Sequence, residues 1–240
     1  MKNILITGAT GGIGKSVARL LAREDTVLYL QYHSNESAKK ELETLPGKKK
    51  FFKVDLSHSE EITVFCTALE KEKIDIFIHS PATSVVNTEV MKKSWNEFET
   101  HLTVQVRSFF TILKAILPSM KEKKCGRIVA IATEYTQGRP PERVSDYVTA
   151  KYALVGLCKS LATEVGKWNI TVNCVSPGIL ETNLTKNIPR KFFEIVASQT
   201  PLKRIATPED VASLVAFFCS EKASFITGEN VLVNGGYVMR

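Results

Sequence analysis

Several things are scarce in this 240-residue chain, and each scarcity excludes something. Only five cysteines occur (Cys66, Cys125, Cys158, Cys174, Cys219), scattered and with no CxxC pair. That argues against a disulfide scaffold and for buried, reduced thiols in a cytoplasmic protein. The four histidines stand far apart in sequence, so no metal site is expected. No run approaches the roughly 20 apolar residues that span a bilayer. The apolar opening of MKNILITG is broken by Gly8–Gly14 too early for a signal-peptide core, so no membrane association is expected. No Gly/Ser/Pro-rich linker, low-complexity tract or internal repeat interrupts the chain, and residues 1–240 are expected to form a single domain.

What is present suits a globular fold. Hydrophobic residues make up 44% of the chain and charged ones 24%, enough to bury a sizeable core beneath a polar surface. The net charge of +7 raises the question of nucleic acid, but the lysines are dispersed. The two local clusters are Lys48–Lys50 and Lys121–Lys124 with Arg127. Solvated faces are the expected reading of both, an anionic cofactor or substrate the next, and no nucleic acid is expected.

Short apolar runs rich in β-branched residues alternate with helical spacing. Strands are predicted at Asn3–Thr7, Val27–Gln31, Lys50–Val54, Ile74–His79, Arg127–Thr133, Thr171–Val175 and Asn230–Val233. Helices are predicted among others at Gly12–Arg23, Glu60–Lys71 and Asp146–Gly166. This alternation predicts an α/β fold, a parallel doubly wound sheet with helices on both faces. Ligands of such sheets sit outside the carboxyl ends of the strands.

The first strand runs into Thr7-Gly8-Ala9-Thr10-Gly11-Gly12-Ile13-Gly14. Gly8 suits the tight turn, Gly12 an approach of pyrophosphate to the backbone, and Gly14 close packing of the helix, whose N-terminus favours phosphate. Elsewhere Tyr147 and Lys151 stand four apart at the start of a helical segment, on one face. A phenol with an ordinary pKa near ~10 is a poor general acid/base at neutral pH, and a nearby ammonium is expected to lower it.

Gly-x-x-x-Gly-x-Gly together with Tyr-x-x-x-Lys resembles the short-chain dehydrogenase/reductase family, in the family's order and over nearly the whole chain. The resemblance implies a Rossmann-type sheet of about seven strands, a nicotinamide cofactor, and hydride transfer between it and a carbonyl or alcohol. It implies that Tyr147 is the acid/base and that Lys151 tunes it and binds the ribose. Thr133 stands where the family usually places serine and would orient the carbonyl. Gln105 stands at the family's asparagine, which helps hold a water beside the lysine through a helix distortion. His79-Ser80-Pro81-Ala82 replaces the family's Asn-Asn-Ala-Gly; His79 is expected to be a structural hydrogen-bond partner and Ser80 to border the cofactor.

The cofactor contacts implied are Gly8, Thr10, Gly11, Gly12, Ile13 and Gly14 at the phosphates, and Asp55 and Leu56 at the adenine. The backbone at Ile179 and the hydroxyl of Thr182 would hold the carboxamide, with Pro177 and Gly178 in the same cofactor-binding segment or serving only as a turn. No acid follows the second strand until Glu36, and His33, Ser34 and Asn35 offer donors for a 2′-phosphate, so NADP(H) is favoured with NAD(H) as the alternative. Ser34 or Asn35 is equally suited to cap the next helix. Residues 183–205 are expected to form the substrate lid.

Within the family the chain is most similar to the 3-oxoacyl-[acyl-carrier-protein] reductases. Their carrier docks on basic residues at two patches. Lys121, Lys123, Lys124 and Arg127 are candidates for the first. At the second, near the end of the tyrosine helix, Trp168 stands where an arginine is expected, with Lys167 beside it. The loop Glu134–Arg143 is expected to wall the pocket, its arginines free to meet an anionic substrate or solvent. A homo-tetramer or homo-dimer is implied by resemblance. Two alternatives stay open: a reductase or dehydrogenase of another small carbonyl or alcohol, and a non-catalytic cofactor sensor on the same fold.

Overall fold

Alternation along each strand decides what lies on either side of the sheet. The computed structural model describes residues 1–239, without the side chain of Asn183. Its strands are β1 (Lys2–Thr7), β2 (Thr26–Tyr32), β3 (Lys48–Lys53), β4 (Ile76–His79), β5 (Gly126–Ile131), β6 (Ile170–Pro177) and β7 (Asn230–Val233). They form one sheet in the order β3-β2-β1-β4-β5-β6-β7, with every pairing parallel. The helices are α1 (Gly12–Leu21), α2 (Glu36–Glu43), α3 (Ser59–Leu69), α4 (Trp95–Leu102), α5 (Ser108–Lys123), α6 (Ser145–Val165), α7 (Arg190–Gln199) and α8 (Pro208–Phe218).

Leu5, Phe77, Ile128 and Ala130 point to one core, where they meet α3, α5 and α6. Their neighbours Ile4, Ile6, Ile76, Ile78, Val129 and Ile131 point to the other, where they meet α1, α2 and α8. Period-2 strands filled with apolar residues on both faces thus become the buried middle of a three-layer domain. The predicted strands all form, with ends shifted by one or two residues. α7 is an addition: residues 190–199 of the expected lid are a helix, anchored by buried Phe193 and Val196.

The Lys48–Lys50 cluster falls on β3, the edge strand, where charge discourages pairing with another chain. Lys50 pairs with Glu72 at 2.7 Å and lies over the Tyr29 ring, and Lys49 donates to the Leu45 carbonyl. The winding reverses between β1 and β4, so a crevice opens beyond Thr7 and His79 at their carboxyl ends. No described helix is long and apolar enough to cross a membrane.

Candidate active site

Two adjoining cavities occupy that crevice. One, of about 580 Å³, is bordered by Gly8, Thr10, Gly11, Gly12, Ile13, His33, Ser34, Asn35, Asp55, Leu56 and Ser80. The other, of about 390 Å³, is bordered by Thr133, Tyr147, Lys151, Pro177, Gly178 and Ile179. Ile13, Ser80, Val85 and Thr182 border both, so the two form one continuous cleft. Nearly every residue singled out from the sequence therefore meets in one place.

Gly8 makes the turn out of β1 with φ +67, and a Cβ there would lie 2.7 Å from the Ser80 carbonyl oxygen. Gly14 borders neither cavity. A Cβ on it would lie 2.3 Å from the Gly8 carbonyl oxygen, so its part is to let α1 approach the turn. No side chain caps α1 among the described residues, and its first turn contains no acid. Free amides and the positive end of the helix dipole thus meet the larger cavity, a donor set that fits a pyrophosphate. Sequence reasoning missed the brace beneath this turn. Gln31 accepts from the Gly8 amide at 2.8 Å and donates to the Val54 carbonyl at 2.7 Å.

At the far end of this cavity Asn35 caps α2 by accepting from the Ala38 amide, while His33 and Ser34 stay exposed. Asp55 accepts from the amide and hydroxyl of Ser57 and faces His33 at 3.4 Å. Burial alone would raise the Asp55 carboxyl, but those hydrogen bonds and the two nearby imidazoles, His33 and His58, hold it below its ordinary range.

In the smaller cavity Thr133 follows β5 and caps the short turn 134–136, its hydroxyl accepting from the Tyr135 amide at 3.5 Å. Lys151 is buried, donates to the Ile131 carbonyl at 2.7 Å and lies 5.8 Å from the centre of the Tyr147 ring. The expected lowering of the phenol pKa by this ammonium is not what the site shows. Burial pushes Tyr147 up to about 12, against which the nearby Thr133 hydroxyl works only partly. Burial likewise lowers Lys151 to about 8. Desolvation outweighs the pairing because the ammonium turns toward Ile131. Tyr147 therefore holds its proton at neutral pH and stands as a donor.

Gln105 lies in a π-helical turn, Thr103–Arg107, that joins α4 to α5. The distortion expected at this position is present, but Gln105 itself is 0% exposed and borders neither cavity. Its side-chain amide nitrogen meets His101 Nδ1 at 3.1 Å, and its backbone carbonyl accepts from His79 Nε2 at 3.0 Å. One lone pair of the carbonyl at the distortion thus meets an imidazole, while the buried Gln105 Oε1 has no partner among the described residues. His79 is buried, and its Nδ1 faces the Thr7 hydroxyl at 2.9 Å.

The loop after Thr133 walls the pocket through one residue, and its arginines take the solvent-exposed alternative. Tyr135 borders the smaller cavity, whereas Arg139 and Arg143 are exposed and border neither. Arg143 faces Glu89 at 3.4 Å. Glu134 turns inward and accepts from the Asn234 amide at 3.0 Å, and burial raises its carboxyl. Of the proposed carrier patch, Arg127 is withdrawn. Its side chain is 3% exposed and is held by Glu221 at 3.0 Å and by the Gly126 and Asn169 carbonyls.

These features define a dinucleotide-dependent redox site, and comparison with known proteins agrees. The family model described as enoyl-(acyl carrier protein) reductase matches residues 8–238. A 3-oxoacyl-[acyl-carrier-protein] reductase of Buchnera aphidicola subsp. Schizaphis graminum is 35% identical over 243 residues, covering 99% of this chain and 98% of that protein. Nodulation protein G of Rhizobium sp. (strain N33) is 31% identical over 241 residues, covering 99% and 97%. The crystal structure of levodione reductase superposes with a TM-score of 0.89 at 28% identity, covering 98% of this chain and 96% of that one. The chain belongs to the short-chain dehydrogenase/reductase family and is an NAD(P)-dependent oxidoreductase.

Proposed function

We propose that this protein reduces a ketone to a secondary alcohol with NADP(H), acting on a 3-oxoacyl group carried as a thioester. The observation that carries the reading is the Tyr147 phenol on the wall of the smaller cavity, which Thr133 and Lys151 also line, with the Lys151 ammonium 5.8 Å from the ring centre. The bound cofactor supplies the hydride that adds to the carbonyl carbon. Tyr147 gives the matching proton to the carbonyl oxygen, and its raised pKa keeps that proton available at neutral pH. Thr133 orients the oxygen by hydrogen bonding, and Lys151 holds the ribose and faces the phenolate left behind.

His33 and Ser34 are the residues assigned to the 2′-phosphate, because no acid lies between Gln31 and Asn35. Gly12, Ile13 and the first turn of α1 are assigned to the pyrophosphate, and Pro177, Gly178, Ile179 and Thr182 to the carboxamide. The acyl reading draws on the activity of the 3-oxoacyl-[acyl-carrier-protein] reductase relatives and on the walls of the smaller cavity, which include Val85, Leu180, Leu184 and Ile188. Such walls suit an uncharged chain and equally a compact ketone, so reduction of another small ketone is the second reading. Association into a homo-tetramer or homo-dimer in the cytoplasm belongs to the same proposal. Exposed Trp95, Phe110 and Phe225 supply apolar surface for it.

The test is NADPH oxidation by purified protein with a 3-oxoacyl thioester, free and carrier-bound, beside a panel of small ketones. Turnover of the thioester is expected, and Tyr147→Phe should abolish it while NADPH still binds. Turnover of small ketones alone would transfer the assignment to the second reading. NADPH binding without any turnover would favour a cofactor sensor.

A further inference from the structure

A buried ionic cluster stands behind Tyr147 and takes no part in the reaction as proposed. The side chains of Lys93 and Asp146 are 0% and 2% exposed, and the ammonium donates to Asp146 Oδ2 at 2.7 Å. Asp146 immediately precedes Tyr147 and accepts from its backbone amide at 2.9 Å through Oδ1. The same ammonium donates to the Val86 carbonyl at 3.0 Å. His101 completes the cluster. Its Nδ1 accepts from the Gln105 amide, so its Nε2 carries the hydrogen and faces Asp146 Oδ2 at 3.6 Å. The His101 ring packs edge-on against Tyr147, with centres 6.0 Å apart.

Withdrawing two ions from water is costly, so this pair contributes little or nothing to stability over an apolar substitute. What it does contribute is position. Residues 80–89 have no regular secondary structure, yet Ser80, Pro81, Ala82 and Val85 border both cavities. This wall is fastened toward the tyrosine helix by Lys93 on Val86, by the Thr88 amide on the Arg143 carbonyl at 3.1 Å, and by Arg143 on Glu89. Lys93 makes the only one of these fastenings that joins the wall directly to the residue beside Tyr147.

We propose that Lys93 and Asp146 are positioning residues: their ion pair sets the 80–89 wall against the tyrosine helix, and through His101 it fixes the Tyr147 ring. The inference rests on the reading that Tyr147 delivers the proton. It specifies where the register between wall and proton donor is held. Removing the pair leaves the reacting groups in place but lets them drift, and a misplacement of about 1 Å costs on the order of 10²-fold in rate.

His101 supplies a second signature. It is faced by Asp146 and Lys151 from α6, by Lys93 ahead of α4, and by Glu97 from α4. Burial first, then the two ammonium groups, hold it below the ordinary histidine range against the pull of the acids. With Lys93 neutralised, Asp146 turns to His101 alone, and the imidazole gains a proton beside Tyr147.

Single removal of either ion leaves an unpaired buried charge and is expected to destabilise the fold strongly. The decisive variant is therefore Lys93→Met with Asp146→Asn, compared with wild type and with the charge-keeping Lys93→Arg. We expect the double variant to fold with a Tm near that of wild type. Its kcat should fall about tenfold or more, its KM for the ketone should rise, and hydrogen exchange of peptide 80–89 should quicken. Lys93→Arg should recover most of kcat. Lys93→Met alone, if folded, should shift the pH dependence of kcat in the direction of a more readily protonated His101, and His101→Phe should remove that shift. Wild-type kcat and KM in the folded double variant would overturn the proposal, whatever the exchange rate. Should wild type reduce no ketone at all, the reaction reading fails. Exchange of peptide 80–89 then decides the clamp by itself, and an unchanged rate overturns it.

Discussion

The Nε2 of His79 donates to the Gln105 carbonyl at 3.0 Å, so the end of β4 is tied to the π turn between α4 and α5. Thr7 at the end of β1 holds the other ring nitrogen at 2.9 Å. One imidazole thus joins the two strands that flank the winding reversal to the helix that runs behind the site. Phe77 and Phe109 enclose it, with ring centres 5.7 and 5.0 Å from its own.

This placement makes acid stability depend on His79. Burial, with the Lys151 ammonium adding to it, depresses the imidazole to about 3. In the unfolded chain it titrates near ~6.5. Between those values the unfolded state binds the extra proton, so the contribution is complete above about 6.5 and is lost as pH falls toward 3. At pH 5 the loss is roughly 2 kcal/mol. Urea midpoints at pH 7.5 and 5.0 should converge in His79→Asn relative to wild type. At pH 7.5 the variant should be less stable by about 1–3 kcal/mol, since a shorter side chain leaves the Gln105 carbonyl or the Thr7 hydroxyl unpaired. Equal acid sensitivity in both proteins would show that His79 is not the group responsible.

Thr133 offers a cleaner test of the chemistry. Valine matches its shape and removes the hydroxyl, so Thr133→Val should lower kcat for ketone reduction about 100-fold with little change in Tm. Thr133→Ser keeps the hydroxyl and should stay within a few-fold of wild type. Steady-state kinetics on the two variants suffices. Comparable losses in both would mean that the methyl group, through packing, matters more than the hydrogen bond.

How much of this was legible in the sequence differs between fold and site. Strand alternation and the glycine turn reveal the sheet because they depend on local geometry: Leu5 against Ile4 and Ile6, and Gly8 with φ +67. Tyr147, Lys151 and Thr133 were legible because they sit at strand or helix ends that the pattern locates. Gln31 was not, since its worth lies in a Gly8 amide 23 residues away. The Lys93–Asp146 pair spans 53 residues and looks from sequence like two ordinary surface charges. Arg127 failed in the opposite sense. Within a lysine-rich stretch it reads as exposed, yet Glu221, 94 residues on, meets it where it is buried. α7 was obscured because its apolar stripe is short and its outer face basic.

Gly14 and Gly12 should behave differently although they share one turn. A Cβ at Gly14 meets backbone, the Gly8 carbonyl at 2.3 Å, so Gly14→Ala must push α1 away from the turn. We expect a loss of about 1–3 kcal/mol and a fall in Tm of several degrees, with weaker NADPH binding. A Cβ at Gly12 meets the Thr182 methyl at 2.9 Å, the end of a side chain that can rotate. Gly12→Ala should therefore keep its Tm better but bind NADPH at least about tenfold more weakly, because it narrows the cavity itself. Thermal unfolding and fluorescence titration with NADPH separate the two effects. Equal Tm losses would refute the distinction.

Lys151 sets the alkaline behaviour. Burial lowers its ammonium to about 8, whereas Tyr147 keeps its proton to about 12. The kcat/KM for NADPH, which reports groups of the free enzyme, should accordingly fall as pH rises through about 8. Stability should move the other way. Between about 8 and the unfolded value near ~10.4 the unfolded chain holds the extra proton, so the contribution of Lys151 to stability grows with pH across that window. A falling rate in a protein whose stability is not falling cannot be attributed to unfolding. Lys151→Arg carries a charge that does not titrate here, so any activity it retains should lack the limb. A limb near pH 8 that persists in Lys151→Arg would assign the ionisation to another group and leave Lys151 with a structural part only.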